Sequence, residues 1–333
     1  MKGREPGPPG DRVRAAVVRE FGHPPRYGEF PDPAPGANSA ALTVAAAAVS
    51  PLVVSRAAGL HYSDVSALPF VPGIDGVGRT TEGERVYFLF PSPPYGSLAE
   101  RVAVPKDHLV AVPEGLDDVT AAAAANPGMA SWVPLTRHAP VRRGESVLVN
   151  GATGTAGRMA VQVAKYLGAR RVVATGRDEG KLRALAALGA DVTIPLGAAG
   201  KEFREAVRRE ARDSEVGVVL DYLWGPSAEA ILSALGGPDA PRGPGRIRYV
   251  EVGAASGTTV ALTGAWLRSS GVEIVGSGIG STSAPDLRAG IGEFLRAYAG
   301  ARFRIEVSVR PLSEVEVAWP GALGEQRLVF TVP

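Results

Sequence analysis

The chain has 333 residues, 45% of them hydrophobic and 21% charged, a balance that suits a globular protein with room for two domains. A formal net charge of +2 gives no electrostatic case for a nucleic-acid partner. Cysteine is absent, which excludes disulfides and every cysteine-containing zinc site. The four histidines (His23, His61, His108, His138) are too scattered to suggest a metal, so none is expected.

Residues 1–11 are polar and rich in Pro and Gly, without the apolar core of a signal peptide. No uninterrupted apolar run reaches the ~18 residues that a membrane span needs, and 42–54 is broken by Ser50-Pro51. The expectation is a cytoplasmic protein without a membrane partner. Between residues 12 and 112, segments 13–19, 41–47, 75–80, 85–90 and 97–104 alternate or carry apolar runs bounded by Gly and Pro. They predict a compact, mostly antiparallel β-domain. Residues 117–125 read as an alanine-rich helix opened by two aspartates, and 127–138 as a second helical segment.

Residues 145–192 organise the rest. An apolar run, Val147-Leu148-Val149, has the length of a buried parallel strand. A turn of small residues follows, then a helix with apolar positions at Met159, Val161, Val163, Ala164 and Leu167, closed by Gly168. A second strand over 171–175 completes a βαβ unit. In such a unit small residues let the backbone approach a pyrophosphate, and the helix N-terminus offers free N–H donors. The turn reads Ala152-Thr153-Gly154-Thr155-Ala156-Gly157, with Ala in place of the first glycine of the dinucleotide fingerprint. The second strand ends in Gly176-Arg177 where an acid would hold a ribose 2′-hydroxyl. Arg177 and Lys181 would pair with a 2′-phosphate, so the nucleotide expected is NADPH; otherwise both are surface residues at a helix start.

Further strands are expected at 216–220, 248–252 and 272–275, with helices at 227–235 and 284–299 and final strands at 307–311 and 327–332. The arginine-rich segment 201–212 has apolar residues at helical spacing and reads as a solvated helix. Strands alternating with helices imply a doubly wound parallel sheet, so the fold class expected is α/β with a separate β-domain.

Several motifs together carry a family. They are Pro72-Gly73-Ile74-Asp75-Gly76-Val77-Gly78, Gly83-Glu84-Arg85-Val86, Gly96-Ser97-Leu98-Ala99-Glu100 and the nucleotide turn. On these the chain resembles the zinc-independent medium-chain dehydrogenase/reductases, the quinone oxidoreductase-like proteins. The resemblance implies a GroES-like β-domain (1–128 and 279–333), an inserted Rossmann domain (129–278), an active site in the cleft between them, and a homodimer formed through the edge strand at 272–275. It also implies departures. The Asn-x-x-Asp stretch that quinone oxidoreductases place near the nicotinamide reads Ser50-Pro51-Leu52-Val53, and the Gly-x-Tyr that follows reads Gly59-Leu60-His61-Tyr62, one residue longer.

For the cofactor, Ala152, Thr153, Gly154, Thr155, Ala156 and Gly157 are the expected phosphate contacts, with Gly176, Arg177 and Lys181 at the adenosine end. Asp221, at a strand's carboxyl end, either meets the ligand or caps the following helix. Gly253, Ala254, Ser277 and Gly278 follow the next two strands, where backbone groups suit a carboxamide. Asn126 either faces the nicotinamide or serves a turn before Pro127. Tyr62 is the candidate proton donor, with His61 as the alternative; a phenol is protonated at neutral pH and can donate to a carbonyl or developing enolate. The activity expected is transfer of hydride from NADPH to a quinone or an enone-type double bond, the substrate being a small electrophilic carbonyl compound. The alternatives are an enoyl-thioester or polyketide enoyl reductase using Tyr62, and an NADPH-binding protein without turnover.

Overall fold

The computed structural model describes residues 11–60, 67–197, 199–240 and 246–333. His61 and Tyr62 lie outside the described residues. The chain forms two compact units, one of Met1–Asn126, Leu295–Gly300 and Ile305–Pro333, the other of Pro127–Phe294 and Ala301–Arg304. No helix among the described residues is long and apolar enough to cross a membrane.

In the first unit a seven-stranded sheet is built around the long strand Ser39–Ala48. That strand pairs antiparallel with Asp75–Thr80, Arg101–Pro105 and the C-terminal Arg327–Thr331. Arg12–Val17 and Arg26–Pro31 form a separate antiparallel pair. Val17, Val44, Phe88, Leu98, Val102 and Phe330 lie in one core. The strand expected from residue 97 begins only at Arg101, because Ser97 and Leu98 donate their N–H groups to Gly73 O and Pro72 O. Two of the motifs that carry the resemblance are thereby packed on each other. Ser50-Pro51 opens a helix, Pro51–Ala57, in which the buried Ser50 Oγ accepts from Val53 N at 3.3 Å. A Ser cap followed by Pro is a helix start, so these residues terminate the long strand.

Asp75 is wholly buried and accepts a 2.9 Å hydrogen bond from Tyr87 Oη, itself buried. The buried Arg327 lowers its pKa, yet desolvation prevails and raises the carboxyl to about 6. Asp75 Oδ1 and Arg327 Nε and Nη2 have no hydrogen-bond partner among the described residues. Asp75 thus belongs to a buried charge cluster inside the sheet.

The two helical segments expected at 117–125 and 127–138 are one helix, Asp118–Val133, that continues into a wider turn at Pro134–His138. Pro127 sits inside it. An interior proline costs roughly 3 kcal/mol, and the helix turns before it are anchored by Ala121 to Ala125, all fully buried. Helix Ala284–Gly300 divides between the units at Phe294. The cause is local: the Phe294 ring packs on Trp132 and Phe303 of the second unit, with centroids 6.1 and 5.9 Å away.

The second unit holds a six-stranded parallel sheet. Its strands are β1 (Ser146–Asn150), β2 (Arg171–Gly176), β3 (Val192–Pro195), β4 (Val216–Asp221), β5 (Ile247–Glu251) and β6 (Val272–Gly276), in the order β3-β2-β1-β4-β5-β6. This is the doubly wound arrangement, which reverses direction between β1 and β4. The connecting helices are α1 (Thr155–Tyr166), α2 (Glu179–Ala184), α3 (Lys201–Ser214), α4 (Gly225–Gly236) and α5 (Gly264–Ser269). The arginine-rich segment is α3, which buries Phe203, Val207 and Ala211 as its spacing requires. Leu148, Val173, Val219 and Tyr249, from four neighbouring strands, share a core with α3 and α4.

Candidate functional site

The site is built at the carboxyl edge of this parallel sheet, where open α/β sheets bind ligands. Gly151 leaves β1 with φ +85° and begins the small-residue turn. Gly154 stands at the N-cap of α1 in extended conformation, and no side chain caps this helix end. Gly154 is exposed, and Thr155 and Ala156 are half-buried. A Cβ placed on Gly154 would meet nothing closer than Gly151 O at 3.8 Å. The helix end is therefore open and electropositive, with room directly before it for an anion. By contrast, a Cβ on Gly157 would collide with Gly151 O and stand 2.6 Å from Ala152 Cα. Gly157 is needed for packing and Gly154 leaves open space: the same residue type serves two purposes three residues apart.

The other expected cofactor residues separate in the same way. Ala152 is fully buried, with its N–H given to Thr175 O at 2.8 Å. Gly176 is buried beneath Thr153, and a Cβ there would lie 2.6 Å from Thr153 Cγ2. A side chain at 176 would therefore require Thr153 to shift. Arg177 and Lys181 are exposed beyond it. Asp178 between them caps α2, accepting from Lys181 N at 3.0 Å, which holds its carboxyl below the ordinary value. Asn126 is half-buried within helix Asp118–Val133, so the turn role considered for it does not apply.

Asp221 is fully buried. Its Oδ1 accepts from Asn150 Nδ2 (2.7 Å), Leu223 N (2.9 Å) and Trp224 N (3.1 Å), and Oδ2 from Tyr249 Oη (2.6 Å). Burial raises its pKa while these bonds oppose the rise. Both oxygens are engaged inside the protein, so Asp221 caps the turn before α4. Gly253, Ser277 and Gly278 have their N–H groups taken by Asp221 O, Glu251 O and Ser281 Oγ. At these positions the donors a carboxamide oxygen would need are engaged, while Ala254 is exposed beside them. Glu251, half-buried at the end of β5, has its pKa raised by burial and by Asp221.

Asn150, Thr175, Ser227 and Tyr249, which complete the network under the turn, were not singled out by the sequence pattern. A signal was present: Val-Leu-Val-Asn150, Val-Ala-Thr175 and Val-Leu-Asp221 each bring an apolar strand to a polar residue at the same edge. Among the described residues no group of three or more His, Asp or Glu is placed to hold a metal ion.

Residues 156–291 match the family model described as zinc-binding dehydrogenase. A probable NADPH-dependent quinone reductase of Emericella nidulans is 32% identical over 96% of this chain and 100% of its own length. The chain belongs to the medium-chain dehydrogenase/reductases, in their quinone oxidoreductase-like branch. Among this branch's relatives, a 2-haloacrylate reductase of Burkholderia is 30% identical over 69% of this chain and 71% of its own. The quinone oxidoreductase of Thermus thermophilus, solved alone and with NADPH, is 30% identical over 96% of this chain and 99% of its own, with a TM-score of 0.77. The fold of this oxidoreductase is accordingly a GroES-like β-domain with a doubly wound Rossmann domain.

Proposed function

We propose that this oxidoreductase uses NADPH to reduce a quinone or an enone-type double bond without a metal. The observation that carries the reading is the open N-terminus of α1 behind Gly154, with exposed Arg177 and Lys181 one strand away and no acid at 176. Backbone N–H groups of Thr155 and Ala156 would hold the pyrophosphate, and the basic pair would hold a 2′-phosphate. NADPH, when bound, supplies a hydride to the electrophilic carbon conjugated to a carbonyl. A donor near the carbonyl oxygen would stabilise the charge that develops there, and Tyr62 is the candidate. The relatives' names support both acceptor types, a quinone for one and a haloacrylate for another. The family model is named for zinc, but a chain without cysteine lacks the thiolate ligands of its zinc-dependent members.

The test is steady-state oxidation of NADPH and NADH with a panel of quinones, enones and enoyl thioesters. NADPH-specific turnover of a quinone or enone is expected. Tight NADPH binding without turnover of any acceptor would point to a binding protein. Turnover confined to enoyl thioesters would favour the enoyl reductase reading.

A further inference from the structure

We propose that Asn150, Thr175 and Asp221 are positioning residues: three buried side chains that never touch the cofactor but set the nucleotide turn that does. The inference rests on the NADPH reading above.

Asn150 pairs in register with Thr175 of β2 on one side and Asp221 of β4 on the other, so the three occupy one row across the end of the sheet. All three are fully buried, which removes direct contact with a ligand. Thr175 Oγ1 donates to Asn150 Oδ1 at 2.7 Å, and Asn150 Nδ2 donates to Asp221 Oδ1 at 2.7 Å and to Ser227 Oγ at 2.9 Å. The direction is fixed, because a carboxylate only accepts; Asn150 must turn its NH₂ toward Asp221 and its oxygen toward Thr175. The Thr175 hydroxyl, with its hydrogen so committed, faces Gly151 N with a lone pair and accepts from it at 3.4 Å.

Gly151 is therefore held from one side by Thr175. On the other side stands Leu223, whose side chain leaves no room for a Cβ on Gly151: the nearest atom would be 2.8 Å away. Leu223 is fixed in turn by its N–H bond to Asp221. The same carboxylate holds Trp224 N, and Trp224 adopts φ +54°, a strained conformation for a bulky residue. Gly151 O then packs against Gly157 in the first turn of α1. Asp221 thus reaches the helix N-terminus through two routes, Asn150–Thr175–Gly151 and Leu223–Gly151. Apolar residues at these strand ends would close the sheet equally well, but they would leave the direction of the turn's N–H groups undetermined.

The test compares Thr175→Val, which keeps the shape and removes the hydroxyl, with Thr175→Ser, which keeps the hydroxyl. NADPH dissociation constants are read by fluorescence on the full-length protein, alongside hydrogen exchange at the Gly151 amide without nucleotide. Thr175→Val should raise the dissociation constant about 10-fold and speed exchange at Gly151, with kcat at saturating NADPH within about twofold. Thr175→Ser should restore both. If Thr175→Val does not fold, Leu223→Ala removes the second hold on Gly151 and should weaken NADPH about 5-fold. Folded variants that bind NADPH as the wild type does overturn the inference alone. Wild-type protein that binds no NADPH overturns the underlying reading and this inference with it.

Discussion

Gly154 and Gly157 give the structure its sharpest test, because one substitution should remove binding and the other folding. Gly154 has φ −76° and ψ 165°, a region open to alanine, and a methyl there meets no atom within 3.8 Å. Replacing an N-cap Gly by Ala costs roughly 0.5–1 kcal/mol, and reduced freedom of the unfolded chain returns about 0.4–1 kcal/mol. Gly154→Ala should therefore melt within a few degrees of the wild type. Its methyl would stand where a phosphate must come within hydrogen-bond reach, and one misplaced methyl group is worth ~1–3 kcal/mol, or a 10- to 200-fold loss of NADPH affinity. At Gly157 the added carbon overlaps backbone atoms of Gly151 and Ala152, which cannot swing aside as a side chain would. Overpacking of this kind costs typically 1–3 kcal/mol and more when backbone must move. Thermal melts and NADPH titration of both variants form the assay. A Gly154→Ala protein that keeps wild-type affinity, or a Gly157→Ala protein as stable as the wild type, would refute the division of roles.

Arg177→Ala should weaken NADPH roughly 10-fold and leave NADH nearly unchanged, since the guanidinium–phosphate pairing it removes is charge-assisted but exposed; equal losses for both nucleotides count against it. Asp75 has a folded pKa of about 6 against 3.8. It therefore binds its proton more tightly when folded, and its stability share is greatest below about pH 4 and falls away as pH rises through 6. The whole effect is about 3 kcal/mol, so Asp75→Asn should gain about 1–2 kcal/mol relative to the wild type between pH 5 and 7.5. Melting curves across that range check the sign, and a drift in favour of the wild type contradicts it. Dialysis against a chelator should leave activity intact, and elemental analysis should find no stoichiometric zinc.

The doubly wound sheet was legible because buried parallel strands are written as short apolar runs, and five of its six strands follow from them. β3 does not: Val-Thr-Ile-Pro is short and only its Ile194 is fully buried, so it carries little pattern. Helix Pro51–Ala57 was hidden because a family motif spans those residues and masks the Ser-Pro start signal. At the site, the turn was visible but its internal division of labour was not. Whether a glycine faces open space or a neighbouring carbonyl depends on where β1 and α1 meet, and spacing alone does not contain that. Asp221 shows the same limit. A carboxylate at a strand end is visible in the sequence; that four donors already occupy it depends on neighbouring strands and a turn.

The connectivity of the first unit has a consequence for synthesis. The six strands of the Rossmann sheet lie within a continuous stretch of chain, from Ser146 to Gly276, and can pair as soon as that stretch emerges. The long strand Ser39–Ala48 must instead wait for Arg327–Thr331, which at ~5–20 residues per second is made on the order of tens of seconds later. Through that interval the central strand of the nascent β-domain is open on one side over Ala46–Ala48. Asp75 meanwhile lacks Arg327, the cation that tempers its burial. The segment Arg327–Thr331 therefore both closes the sheet and brings its buried carboxylate a counter-charge, so deleting it should trap the chain with one finished domain and one unfinished.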